Sequence, residues 1–228
     1  MTPAVMTSTL PSHPRFVSLE GGEGAGKTTV LNALRAALRD SGCEVVSTRE
    51  PGGTPLAERI RRLLLDSTAD NGCEAPVAET ELLLMFAARV QHVRGTILPA
   101  LERGAWVVSD RFTDSSYAYQ GAGRGLDSGL IGELERRVVG LQPGLTLLLD
   151  VDVGEGRDRA RGRDLALSGN GPDRIEREHD DFFERVRAAF LARAVAEPQR
   201  FRVIDAARPA EVVSADAVAQ LRAWQASQ

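Results

Sequence analysis

The sequence predicts an α/β domain in which a parallel sheet of five strands is flanked by helices on both faces. Three observations carry that expectation. Short apolar runs alternate with longer segments of helical periodicity along the chain. The runs are apolar at consecutive positions, as strands covered on both faces must be. A glycine-rich turn joins the first run directly to the first helical segment. At 228 residues with 43% apolar and 26% charged positions, the chain can bury a core without a disulfide or metal staple. Residues 1–14, rich in Pro, Ser and Thr, read as an unstructured lead-in. Residues 15–228 read as one domain, without repeat, low-complexity tract or linker.

The elements follow in order. A first strand is expected over 16–19, ended by glycines. Val30, Leu31, Leu34, Ala37 and Leu38 set a helical spacing over 28–39, and Gly42 stops it. A second strand over 45–48 ends at Pro51-Gly52-Gly53. Thr54-Pro55 reads as an N-cap with proline at the first helical position, opening a helix to about Leu65. A loop through Asp70-Asn71-Gly72 leads to a long helix over 77–101, with Pro99 near its end. Strands are expected over 106–109, 145–149 and 201–204, and helices over 130–141, 175–196 and 212–224. Ligands of such sheets bind at the carboxyl ends of the strands, so the loops after Leu19, Thr48, Ser109 and Val151 are where chemistry belongs.

Composition narrows the function. A net charge of −4 argues against nucleic-acid binding through a basic surface. No run approaches the ~18 apolar residues of a membrane span, and the start lacks a secretory signal pattern. Cys43 and Cys73 form no framework, which fits a cytoplasmic chain. Of 28 basic residues only one is lysine, and that one, Lys27, sits in Gly-Gly-Glu-Gly-Ala-Gly-Lys-Thr. A compact ammonium on a flexible stem does something there that a planar guanidinium does not.

Gly21, Gly22, Glu23, Gly24, Ala25, Gly26, Lys27 and Thr28 match G-x-x-x-x-G-K-[ST] after a strand and at the start of a helix. Glycines let backbone N–H groups curl around phosphate, and the helix N-terminus adds its positive end. Lys27 reaches the β- and γ-phosphates and the Thr28 hydroxyl holds Mg²⁺, so a nucleoside triphosphate with magnesium is the expected ligand. A lone lysine excludes the guanine-reading N-K-x-D and a second loop lysine. ATP-using kinases and related small enzymes remain.

The strand over 106–109 delivers Asp110 and Arg111 at its carboxyl end. Asp110 is placed to hold Mg²⁺ through water, and Arg111 suits an anionic acceptor because its fork matches phosphate oxygens. Tyr117 and Tyr119, the two tyrosines of the chain, follow among hydroxyl and amide groups suited to a sugar and a base; Tyr119 is read as the contact and Tyr117 as packing. Arg89, between alanines and valine on the long helix, needs an acceptor partner if buried. Arg157, Arg159, Arg161 and Arg163 precede a flexible stretch, and residues 157–174 read as a lid. Since the variable positions of the phosphate loop hold no arginine, Arg163 or Arg174 is expected to supply the cation that stabilises the transferring group.

Taken together, FVSLEGGEGAGKTT, TREPGGT, FAARVQH, DRFTDSSYAYQGAGRG, LLLDVD and DRIERE resemble the thymidylate kinases over about residues 16–208. The resemblance implies the P-loop nucleoside monophosphate kinase fold, transfer of the γ-phosphoryl of ATP to dTMP with Mg²⁺, and a homodimer. It implies that Glu23 meets the sugar 3′-OH, Arg111 the 5′-phosphate, and Arg89 with Ser116 the thymine edge. By the same resemblance Tyr119 is expected to pack by the sugar, Gln120 to contact the nucleotide, and Arg49 to lie near the phosphate. Relatives place a ring-stacking Phe four residues before the helix arginine; here Met85 holds that slot and Phe86 follows, and Phe86 is the stacking candidate. The lid carries about seven residues beyond the shorter lids of the family, around 165–171. The alternatives are a P-loop kinase for a deoxynucleoside or a small phosphorylated metabolite, and a nucleotide-dependent switch with negligible turnover.

Overall fold

The computed structural model describes residues 10–65, 74–167 and 173–228, the side chains of 163–167 excepted. The expected turn at Asp70-Asn71-Gly72 and Cys73 lie outside them. Five strands, β1 (Ser12–Gly21), β2 (Val45–Arg49), β3 (Trp106–Asp110), β4 (Gln142–Asp150) and β5 (Phe201–Asp205), form one all-parallel sheet in the order β2-β3-β1-β4-β5. The first strand is longer than its apolar run, because Ser12 and His13 pair with Gln142 and Pro143. Trp224 also donates to the Pro14 carbonyl over 2.8 Å, so the lead-in ends earlier than residue 14.

Side chains of the central strands alternate between two cores. On one face Val17, Leu19, Val108, Leu145 and Leu147 pack against α1 (Lys27–Asp40) and the C-terminal helix α9 (Ala210–Ala226). On the other face Phe16 and Val107 meet Leu82, Phe86 and Ile97, and Leu148 with Phe201 meets Phe182, Phe183 and Phe190. Both faces of the sheet are covered, which is why its strands read as continuous apolar runs.

Helix α2 (Pro55–Leu65) begins with proline at its first position, and Ala57 N–H donates to Thr54 Oγ1 over 3.2 Å. The long helix is compound: α3 (Ala78–His92), a π-helical turn over Val93–Ile97, then α4 (Leu98–Glu102). Pro99 has no N–H, and in an uninterrupted α-helix its ring would clash with the carbonyl four residues back, at Gly95; the wider π-helical turn before it avoids that clash. After β3, the short helix α5 (Thr113–Ser116) runs into a π-helical turn over Tyr117–Gly123. Helix α6 (Ser128–Leu134) follows, capped by Asp127, and α7 (Val153–Leu167) carries the first part of the lid. The helix expected over 175–196 begins only at α8 (Asp180–Ala196). Asp173 Oδ1 accepts from the N–H groups of Ile175 and Glu176, holding a turn in place of helix.

Candidate active site

β1 ends at Gly21, and its glycine loop opens α1 without a side-chain cap, so the N–H groups of the first turn point into the loop. Gly26 has φ 87° and Gly24 φ 69°, a region costly for other residues. A side chain at Gly24 would also collide with the backbone of Gly156 in α7. The lid helix is therefore seated directly on the loop. Lys27 Nζ arches over the loop and donates to the carbonyls of Gly22 (2.7 Å) and Gly21 (3.3 Å).

The residue after β3 takes unusual backbone geometry. Arg111 has φ 70°, and no other non-glycine among the described residues has a positive φ. Its N–H donates to the Leu19 carbonyl (2.8 Å), and its carbonyl accepts from Ser109 Oγ (2.7 Å). Glu20, buried at the end of β1, accepts from Phe112 N–H (2.7 Å) and Ser115 Oγ (2.6 Å). These bonds hold the strained turn and aim the guanidinium outward. Arg111 then donates to Ser115 Oγ (3.1 Å) and to the Tyr119 hydroxyl (3.0 Å). Burial pushes the Glu20 carboxyl up to about 8, with the Asp114 carboxylate adding to it against the charge of Arg111. Burial likewise raises the Tyr119 phenol, which stays a neutral donor and acceptor.

Arg89, 3% exposed, is fixed from three sides. Nε donates to Glu50 Oε2 (2.5 Å), Nη1 to Ser116 Oγ (2.9 Å) and Nη2 to the Phe112 carbonyl (3.1 Å). The other Glu50 oxygen meets His92 Nδ1 at 2.9 Å, and His92 Nε2 lies 2.6 Å from Thr48 Oγ1.

The expected acceptor-side residues converge. Glu23, Arg89, Arg111, Ser116, Tyr119 and Gln120 line one cavity at the carboxyl end of the sheet. Met85 lines it as well, whereas Phe86 is turned into the core, its ring 4.8 Å from the Arg89 guanidinium. Arg49 lines a neighbouring cavity with Thr28 and Asp110 and pairs with Glu58 at 3.0 Å. Asp110 Oδ1 is buried there with no hydrogen-bond partner among the described residues. An orphaned carboxylate oxygen sharing a cavity with the Thr28 hydroxyl is a donor set that suits a hard cation completed by phosphate oxygens and water. Among the described residues no three His, Cys, Asp or Glu side chains cluster as a self-contained metal cage.

On the other side of the loop, Gly24, Ala25 and Gly26 share a cavity with Arg159, Ala207 and Arg208. Arg159 donates to the carbonyls of Ala206 (2.7 Å) and Ala207 (3.0 Å), tying the lid helix to the end of β5. The two lid candidates differ. The backbone of Arg163 lies in α7, its side chain outside the described residues. Arg174 is engaged elsewhere, donating to the Leu64 carbonyl (2.9 Å) and to Glu81 (2.5 Å), and it lines neither the acceptor cavity nor the Arg159 cavity. Arg157 does face the loop, sharing a cavity with Gly21, Gly22 and Glu23.

Sequence reasoning missed Glu20, Glu50, Glu81 and Ser115. A signal existed for Glu81: it falls four residues before Met85 and eight before Arg89, on the buried stripe of its helix, where a carboxylate needs partners.

Comparison with known proteins adds an independent observation. The family model described as thymidylate kinase matches residues 19–217. A thymidylate kinase of Pseudomonas fluorescens is 57% identical over 197 residues, covering 85% of this chain and 88% of that one. One from Alkalilimnicola ehrlichii is 55% identical over 201 residues, covering 87% and 88%. The crystal structure of thymidylate kinase from Ehrlichia chaffeensis superposes with a TM-score of 0.72 at 32% identity, over 92% of this chain and 98% of that one.

Proposed function

The chain belongs to the thymidylate kinase family, and on that premise we propose that the acceptor cavity lined by Arg89, Arg111, Tyr119 and Gln120 is where dTMP receives the γ-phosphoryl group of ATP. The fold is that of the P-loop nucleoside monophosphate kinases, and the reaction turns dTMP and ATP into dTDP and ADP. Family membership favours this over a deoxynucleoside, another phosphorylated metabolite, or a switch without turnover.

One observation carries the assignment of roles. The phosphate loop and the acceptor-side groups share the carboxyl edge of the sheet, with Glu23 of the loop lining the same cavity as Arg111. A nucleotide with its 5′-phosphate on Arg111 has its sugar beside Tyr119 and Glu23 and its base beside Arg89, Ser116 and Gln120. Met85, rather than Phe86, is the apolar wall against the base, and Phe86 supports Arg89 from behind. Arg49 acts from the Thr28 and Asp110 side.

Gly21 to Thr28 cradle the triphosphate, with Lys27 leaving its loop carbonyls for the β- and γ-phosphate oxygens. Thr28 and Asp110 would hold Mg²⁺, whose chemistry is to neutralise the phosphate charge that develops as the γ-group moves. The cavity between Arg159 and the Ala206–Arg208 backbone takes the adenine. Of the two expected lid candidates, Arg163 and Arg174, the former is the better one for the transferring group, because Arg174 anchors the far end of the lid to Glu81. Catalysis here is positioning and charge neutralisation, without a covalent intermediate.

The helices α2 and α3 pack together and expose Leu56, Leu63 and Leu83, and a second copy covering them gives the homodimer. No helix among the described residues is long and apolar enough to cross a membrane, and a cytoplasmic site fits the substrates.

Arg111→Ala tests the assignment. The dissociation constant for dTMP rises about tenfold to a hundredfold, the size of lost charge-assisted hydrogen bonds, while that for ATP is unchanged. A variant that loses only ATP affinity reverses the two sites.

A further inference from the structure

Glu81 of α3 is 1% exposed and gathers donors from two other parts of the chain. Oε1 accepts from Gln120 Nε2 at 2.8 Å, Oε2 from Arg174 at 2.5 Å, and Arg124 Nε stands 3.4 Å from Oε2. Burial by itself would raise this carboxyl, but the hydrogen bonds from Gln120 and Arg174 and the charges of Arg124 and Arg174 hold it below the ordinary carboxylate range.

An ionised carboxylate offers only acceptors. The Gln120 amide must therefore turn its NH₂ towards Glu81, and its carbonyl oxygen takes the other direction. Gln120 is itself 2% exposed and lines the acceptor cavity, which Glu81 does not. Arg89, on the same cavity, is pinned by Glu50, Ser116 and the Phe112 carbonyl. Those three bonds leave two of its five N–H donors for a ligand.

We infer that Glu81 is a specificity-positioning residue: by locking the Gln120 amide it makes the cavity present a carbonyl acceptor beside the Arg89 donors, a pair that accepts a pyrimidine with a ring N–H next to a carbonyl and rejects one with a bare ring nitrogen next to an amino group. Thymine presents N3–H and O4 to such a pair. Cytosine presents N3 and an N4 amino group, the reverse at both positions. A mismatched base leaves two buried polar groups facing like partners, the arrangement by which polar sites discriminate most strongly. The inference rests on the acceptor-cavity reading above.

E81Q is nearly isosteric and reverses the geometry. Arg174 retains the oxygen of the substituted amide, whose NH₂ then faces Gln120 and forces it to flip. The dTMP-over-dCMP ratio of kcat/KM is expected to fall at least about tenfold, through KM for dTMP rather than kcat. The swap E81Q/Q120E restores an acceptor in the cavity and returns most of the preference. R124Q removes a different Glu81 partner without freeing the amide and keeps the ratio. Q120A separates the two levels. If Q120A raises KM for dTMP while folded E81Q keeps the ratio, Glu81 has no part in discrimination and the inference is overturned. If Q120A leaves KM for dTMP unmoved, the cavity reading itself fails and takes the inference with it. Where E81Q alone does not fold, the swap decides: a ratio near that of the unaltered enzyme supports the inference, and a lost preference overturns it.

Discussion

Glu50 receives Nε of Arg89 over 2.5 Å with both side chains 3% exposed, so the cation at the base end of the cavity is held by an anion that lines the same cavity. Removing one partner of a buried pair leaves the other charge uncompensated. Glu50→Gln is expected to cost about 3 kcal/mol of stability, roughly 6–12 °C in Tm, and to raise KM for dTMP well above any change for ATP. Thermal unfolding and steady-state kinetics check both; a variant of unaltered stability and KM would show that Arg89 does not depend on Glu50.

Lys27 is half-buried and its ammonium donates to two loop carbonyls, at the ligand side of the loop rather than in a hydrophobic cluster. Lys27→Ala should therefore lower kcat by on the order of 10³ while moving stability by less than about 0.5 kcal/mol. Turnover and urea unfolding measured on one preparation separate the two effects.

Much of this was legible in the chain. Strand runs such as Trp106-Val107-Val108 and the glycines ending at Lys27 announce the buried strands and the phosphate loop, because burial on both faces and a left-handed turn each leave a local mark. The acceptor groups Arg111, Ser116, Tyr119 and Gln120 lie within ten residues and could be found together. What holds them was not legible. Glu50 is 39 residues from Arg89, Glu20 is 95 from Ser115, and Glu81 is 93 from Arg174, and no local pattern reports pairings made only by the fold. The choice between Met85 and Phe86 is similar: both fit the helix periodicity, and only the packing of Arg89 over the Phe86 ring decides which faces the cavity.

Glu20 makes stability depend on pH in a stated direction. Its carboxyl is raised from 4.5 to about 8 in the folded chain, so between those values the folded state holds a proton that the unfolded state has released. The stabilisation is fully present below pH 4.5 and is lost as pH rises towards 8. Glu20→Gln removes this dependence. Unfolding free energies across pH 4–9 should fall more steeply for the unaltered chain than for the variant, and parallel curves would contradict the assignment.

Asp110 Oδ1 is buried without a hydrogen-bond partner among the described residues and shares a cavity with Thr28, so neutralising it should act on the cation. Asp110→Asn is expected to raise the Mg²⁺ concentration for half-maximal turnover about tenfold, while the dissociation constant for dTMP stays within about twofold. A titration with Mg²⁺ and one with dTMP read the two quantities separately.

A crystal structure of the chain with dTMP bound is the most direct measurement of where the acceptor sits. The 5′-phosphate is predicted within hydrogen-bond distance of Arg111, the sugar beside Tyr119, and the pyrimidine edge against Arg89 and Gln120. A nucleotide whose phosphate rests on the Gly21–Thr28 loop, or whose base lies outside the cavity lined by Arg89 and Gln120, would contradict it.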